Sequence, residues 1–147
     1  MTRVLLDTNV LVYAFDAQEE VKQEQALQIF AQLETGDRGC ISVQALAEFM
    51  NVTTRKLRPP MPPQQALQEV ERYLQFLTVF DLTPTIVLEA ARGVRDHQLP
   101  YYDAQVWATA RLHQIPVIFS EDFSANTTLE GVRFVNPFAP VFDLAAW

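Results

Sequence analysis

A chain of 147 residues, 49% of them hydrophobic, has the size of one domain and can bury roughly 70% of the surface that its unfolded form exposes. Its single cysteine, Cys40, excludes an intramolecular disulfide and a cysteine-rich metal site, and makes a reducing cytoplasm the expected compartment. With 11 basic residues against 18 acidic ones, the net charge is -7 and the pI near 4.7, the opposite of the basic balance that most nucleic-acid binders show.

The opening stretch has one basic residue, Arg3, but Asp7 and Asn9 interrupt what would be the apolar core of a signal peptide. No apolar run approaches the ~20 residues of a membrane span, so the protein is expected to be neither exported nor membrane-embedded. Arg3 to Leu6 reads as a buried strand ending at Asp7-Thr8-Asn9, and Val10 to Phe15 as the first apolar turns of a helix. Residues 19–35 carry Val21, Ala26, Leu27, Ile29, Phe30 and Leu33 at helical spacing, with Gly36 and Gly39 in the turn that follows. Cys40-Ile41 is a second strand, and Ser42 is placed to cap a helix through Lys56 whose apolar side is Val43, Leu46, Ala47 and Met50. The proline-rich stretch Arg58 to Pro63 must be a loop, and Pro63 suits the first turn of a helix over 63–77. Thr78 to Leu82 is a third strand.

Pro84 opens a helix to Gln98, which the Leu99-Pro100 step ends, and another helix runs from Tyr101 to His113. Val117 to Phe119 and Arg133 to Val135 supply a fourth strand and a fifth. Strands alternating with helices predict a single α/β domain over residues 1–147, with a mostly parallel sheet of four or five strands flanked by helices.

In an open α/β sheet ligands bind beyond the carboxyl ends of the strands, so acids just after strands carry weight. Asp7 and Asp122 qualify, while Glu48 and Asp103 lie near helix starts on the same rim. Each alone has an ordinary explanation. Asp7 can cap a helix, Asp103 can favour a helix dipole, Asp122 in Ser120-Glu121-Asp122-Phe123 can serve a turn, and Glu48 can project to solvent. Together they form a set of four acids at one end of the sheet. Crowded carboxylates raise one another's pKa unless a cation joins them, and an oxygen-only ligand set suits Mg²⁺ or Mn²⁺ rather than zinc. His97 and His113 lack ligand spacing and are expected on the surface at helix ends. Such a site assists attack of water on a phosphodiester, and the chain has no nucleophile elbow, Walker A loop or dinucleotide fingerprint to suggest otherwise. To meet a polyanion an acidic chain needs local basic residues, for which the cluster Arg55, Lys56, Arg58 and the pair Arg92, Arg95 are the candidates.

Leu5-Leu6-Asp7-Thr8-Asn9-Val10-Leu11 resembles the opening motif of PIN-domain proteins, particularly the VapC-type toxins of toxin–antitoxin pairs. Val43 to Phe49 around Glu48 resembles the family's second-acid helix, Tyr101-Tyr102-Asp103-Ala104 its third-acid helix, and Ser120 to Phe123 its fourth-acid turn. Gly131 to Phe138 is similar to the closing strand of one toxin subgroup. The resemblance implies a PIN fold and an endoribonuclease whose catalytic and metal-binding residues are Asp7, Glu48, Asp103 and Asp122; their positions at a strand end and a helix start make Asp7 and Asp103 the expected principal ligands. Thr8 and Asn9 would support the first acid. It further implies dependence on Mg²⁺ or Mn²⁺, an RNA substrate, and a cognate antitoxin that inserts an Arg or Lys among the acids. A homodimer is also expected. Helix faces near Phe15, Phe30 and Phe49 are candidate seats for a partner helix.

Two other readings compete. A haloacid-dehalogenase-type phosphatase also places an Asp after the first strand, but expects a second Asp where this chain has Asn9, and no lysine is obviously placed for its phosphate. A PIN-like module that only binds is the other, although keeping four acids without a cation would be costly.

Overall fold

The computed structural model describes residues 2–124 and 126–147. In chain order the elements are β1 (Val4–Leu6), α1 (Thr8–Tyr13), α2 (Glu20–Leu33), β2 (Gly39–Ser42), α3 (Val43–Arg55), α4 (Pro63–Phe76) and β3 (Thr78–Phe80). They continue with α5 (Pro84–His97), α6 (Tyr101–Leu112), β4 (Val117–Phe119), β5 (Thr128–Leu129) and β6 (Val132–Val135), before a 3-10 turn at Leu144–Ala146.

Local chemistry explains most boundaries. The Asp7, Ser42 and Thr83 side chains each accept a backbone N–H in the first turn of the helix that follows, and Pro63 and Pro84 occupy first-turn positions where no N–H is missed. Gln98 ends α5 in the left-handed region at φ 54°, reversing the chain before Pro100 starts α6. Where α5 crosses α6, Gly93 lies against the Trp107 indole, and a Cβ there would fall within 2.8 Å of the ring. Any larger residue at 93 would have to displace the largest fully buried side chain.

The sheet has six strands in the order β3-β2-β1-β4-β6-β5, all parallel except the β5–β6 pair. This exceeds the four or five strands expected, because β5 is two residues long and too short for any periodic signal. It is held by a tight hairpin whose two turn residues, Glu130 and Gly131, both have positive φ. Alternation along β1 divides the core. Val4 and Leu6 join Leu11, Ile29, Phe30, Phe49 and Tyr73 under α1–α4, whereas Leu5 faces Ile86, Ala90, Trp107 and Phe134 under α5 and α6. Helices therefore cover both faces, as right-handed crossovers between parallel strands require.

This packing revises three expectations. Phe30 and Phe49 are core residues at 2% and 0% exposure and offer no seat for a partner helix, whereas Phe15, edge-on to Phe49, is half-buried in the wall of a surface groove. His97 and His113 are half-buried, His97 against Glu130 and Trp107, His113 with its ring 3.8 Å from that of Phe80. Arg92 and Arg95 are spent on intramolecular ion pairs with Glu89, Asp96 and Glu130.

Candidate active site

Strand order reverses between β1 and β4, since β1 runs on to β2 and β3 while β4 runs on to β6 and β5. The crevice beyond the carboxyl ends of those two strands is where an open parallel sheet leaves room for a ligand. Asp7 is the residue after β1, and Asp122 follows β4 by three positions. Glu48 comes from the second turn of α3, directly after β2, and Asp103 from the first turn of α6, which leads into β4.

Asp7 is 7% exposed, and its backbone N–H reaches the Phe119 carbonyl at 3.0 Å, tying the ends of β1 and β4 together. Its Oδ1 accepts the Thr8 N–H at 2.8 Å and its Oδ2 the Ser120 hydroxyl at 2.8 Å. Ser120 Oγ in turn accepts from Asn9 Nδ2 and from the Asp122 backbone N–H, each at 3.1 Å, and Asn9 Nδ2 also lies 3.2 Å from Asp122 Oδ2. Asn9 and Ser120 thus bridge the first acid to the fourth. The turn that carries Asp122 is pinned from outside, because Glu121 bonds the Tyr13 hydroxyl and pairs with Lys22 at 3.0 Å.

Glu48 is held at both oxygens. Thr8 Oγ1 donates to Oε2 at 2.8 Å, and Gln44 Nε2 donates to Oε1 at 2.7 Å. Behind Gln44, the amide of Gln105, 4% exposed, donates to Gln44 Oε1 and accepts the Tyr101 hydroxyl at 2.9 Å. Every donor in this chain points toward Glu48, an arrangement that fixes the direction of its carboxylate.

Burial raises the Asp7 carboxyl to about 6; the Ser120 and Thr8 hydrogen bonds pull it down, while the charges of Asp122 and Glu48 push it up. The Asp103 carboxyl is likewise raised, by burial first and then by the same two charges, Asp122 and Glu48. The four acids expected from the sequence therefore share one electrostatic environment. Sequence reading did not single out Ser120, Gln44 or Gln105. Ser120 lay in plain view inside the fourth motif but looked like turn chemistry, and nothing in a sequence marks a glutamine as the buried link between two helices.

The PIN-domain family model matches residues 4–127, a span that contains all four acids. The chain belongs to the PIN-domain family. The fold of this PIN domain is shared by several solved structures. A toxin–antitoxin complex from Klebsiella pneumoniae aligns with TM-score 0.67 at 19% identity, covering 91% of this chain and 97% of the other. A VapC toxin of Mycobacterium tuberculosis that cleaves the sarcin-ricin loop aligns with TM-score 0.65 at 22% identity, over 88% of this chain and 98% of its own. DNA-bound VapBC from Salmonella typhimurium aligns with TM-score 0.62 at 22% identity, over 91% and 97%. No curated protein sequence matches the chain significantly.

A divalent cation fits this PIN domain by donor chemistry: four carboxylates, no thiolate and no imidazole among them. Among the described residues no three acidic, histidine or cysteine side chains converge tightly enough to enclose an ion. No helix among the described residues is long and apolar enough to cross a membrane.

Proposed function

We propose that this PIN domain is a divalent-metal-dependent endoribonuclease acting as the toxin of a toxin–antitoxin pair. The observation that carries the reading is that Asp7, Glu48, Asp103 and Asp122 lie together at the switch point of the sheet, where the charges of Asp122 and Glu48 act on both Asp7 and Asp103, and donors hold Asp7, Glu48 and Asp122 in direction. Mg²⁺ or Mn²⁺, when bound there, would supply neutralisation of the phosphate charge and a lowered pKa for water. Asp7 and Asp103 would hold it, since burial and the neighbouring charges of Asp122 and Glu48 raise both carboxyls and a cation would relieve that cost. Glu48, its oxygens aimed by Thr8 and Gln44, orients the attacking water and receives its proton. Asn9 and Ser120 keep Asp122 facing Asp7 and complete the outer arrangement.

Water attack requires no ribose 2′-hydroxyl as nucleophile, so the products carry 5′-phosphate and 3′-hydroxyl ends. A toxin role is supported by the neighbouring folds, among them a toxin–antitoxin complex, a DNA-bound VapBC and a sarcin-ricin-loop-cleaving toxin. An antitoxin suited to this site brings an Arg or Lys that pairs with Asp7 or Asp103 in place of the cation, a charge-assisted contact weakened by added Mn²⁺.

The test is incubation of the purified protein with total RNA, with Mn²⁺ or with chelator, followed by mapping of the cleaved ends. Cleavage is expected only with metal, and Asp7→Asn or Asp103→Asn should reduce it by orders of magnitude together with Mn²⁺ binding by calorimetry. Ends bearing 2′,3′-cyclic phosphate would refute the mechanism. No cleavage of any RNA by a metal-loaded, antitoxin-free protein would favour a module that only binds.

A further inference from the structure

An acidic protein that handles RNA must hold a polyanion against its own net charge of -7. Most of its cations are unavailable for this. Lys22, Arg72, Arg92, Arg95 and Arg111 are paired with carboxylates, and Arg38 is buried against the backbone carbonyls of Thr2 and Trp147. Arg55, Lys56 and Arg58 differ. All three are exposed at the carboxyl end of α3 and, among the described residues, none forms a salt bridge; Arg58 donates only to the carbonyls of Arg55 and Leu57.

A groove of about 330 Å³ runs from Thr8 and Asn9, which bond two of the acids, to Lys56 of this cluster, its walls completed by Val12, Tyr13 and Val52, with Asp16 and Leu57. Its walls are helix rows. On α3, Glu48, Val52 and Lys56 follow at four-residue intervals and share one face, and on α1 Thr8 and Val12 do the same. Thr8 and Asn9 belong to both regions, for they line the groove while bonding Glu48 and Asp122. At 1.5 Å of rise per residue, Lys56 stands roughly 12 Å along the helix from Glu48. That is the reach of a nucleotide or two in an extended strand, and the wall between is apolar Val12 and Val52.

Resting on the nuclease reading above, we infer that the α1–α3 groove is the track of a single-stranded RNA flanking the scissile phosphate. One unstacked base lies against Val12 and Val52, and Lys56, with Arg55 beside it, takes the phosphates beyond. Single strands, with their bases unstacked and free, are what expose bases to such apolar walls.

The test measures cleavage and binding of a short fluorescein-labelled RNA without secondary structure across a salt series, for wild type, Lys56→Ala, Arg55→Ala/Lys56→Ala and Val52→Trp. Binding is read in the cleavage-dead Asp7→Asn background. For each phosphate contact removed, the slope of log affinity against log salt should fall by about 0.7, so by up to about 1.4 for the double variant. The KM should rise about five- to tenfold while Mn²⁺ binding stays as in the wild type. Val52→Trp fills the groove and should weaken binding with the slope unchanged. The lysine and arginine changes lie on the surface and keep the test valid if Val52→Trp fails to fold. Wild-type cleavage with unchanged KM and slope in the charge variants overturns the inference and leaves the nuclease reading intact. Absence of any RNA cleavage or binding by the wild type overturns both. Groove variants that retain RNA handling but lose a co-purifying protein would assign the groove to protein docking and overturn the RNA track.

Discussion

Replacing Asp7 by Asn should make the metal-free protein more stable while removing its function. The carboxyl is moved from 3.8 to about 6 by burial beside Asp122 and Glu48, roughly two pH units, and at about 1.4 kcal/mol per unit the ionised form costs the fold about 3 kcal/mol. Asn removes that charge but not every contact. Its carbonyl can still accept the Thr8 N–H, whereas its amide faces Ser120 Oγ, which already accepts from Asn9 and Asp122 and donates to Asp7 in the native protein. One lost hydrogen bond costs about 1 kcal/mol, leaving a net gain of about 2 kcal/mol. For a chain of this length that is a rise in Tm of roughly 4–8 °C. The gain has a definite pH window. A carboxyl whose folded pKa lies above its unfolded value takes up a proton on folding. The wild-type penalty is therefore complete above about pH 6 and disappears as pH falls from there toward about 4. Thermal melts in chelator at about pH 7.5 and about pH 4.5 read both quantities, and the two proteins should converge at the lower pH. Adding Mn²⁺ should raise the Tm of wild type and leave the variant unmoved. A variant that melts at or below wild type at the higher pH, or an unchanged gap at the lower one, would refute the electrostatic account of Asp7.

Two further outcomes follow from other parts of the molecule. Gln105→Leu breaks the chain from Tyr101 to Glu48 and leaves the Gln44 amide without its donor; kcat should fall about tenfold with KM for RNA little changed, and Gln105→Glu, which accepts but cannot donate, should not restore it. A Gln105 that serves packing alone would instead lower Tm without altering kcat, which parallel melts and kinetics separate. Glu130 is held down to about 2 by Arg92, then His97, with Arg111 adding to the pull, so its stabilising contribution is present above its ordinary value of 4.5 and is lost as pH falls from there toward about 2. Glu130→Gln should therefore flatten the acid limb of the stability curve below about pH 4.5, a window beneath that of Asp7, as acid titration followed by circular dichroism would show.

The chain order of strands and helices was legible in the sequence because each depends on local chemistry. Caps at Asp7, Ser42 and Thr83, prolines at 63 and 84, and the apolar runs beside them act within a few residues. The four acids were legible too, since motif and rim position are properties of the linear chain. Tertiary structure alone decided what depends on distant residues meeting. The two-residue strand β5 exists only because β6 offers an edge to pair with, and the cations at Arg92 and Arg95 are lost to RNA because Glu89, Asp96 and Glu130 reach them first. Ser120 bonds Asp7 across 113 positions and Gln105 reaches Gln44 across 61. Such bonds leave no periodic trace, because burial and partner choice are settled by how the helices pack on the sheet rather than by any spacing along the chain.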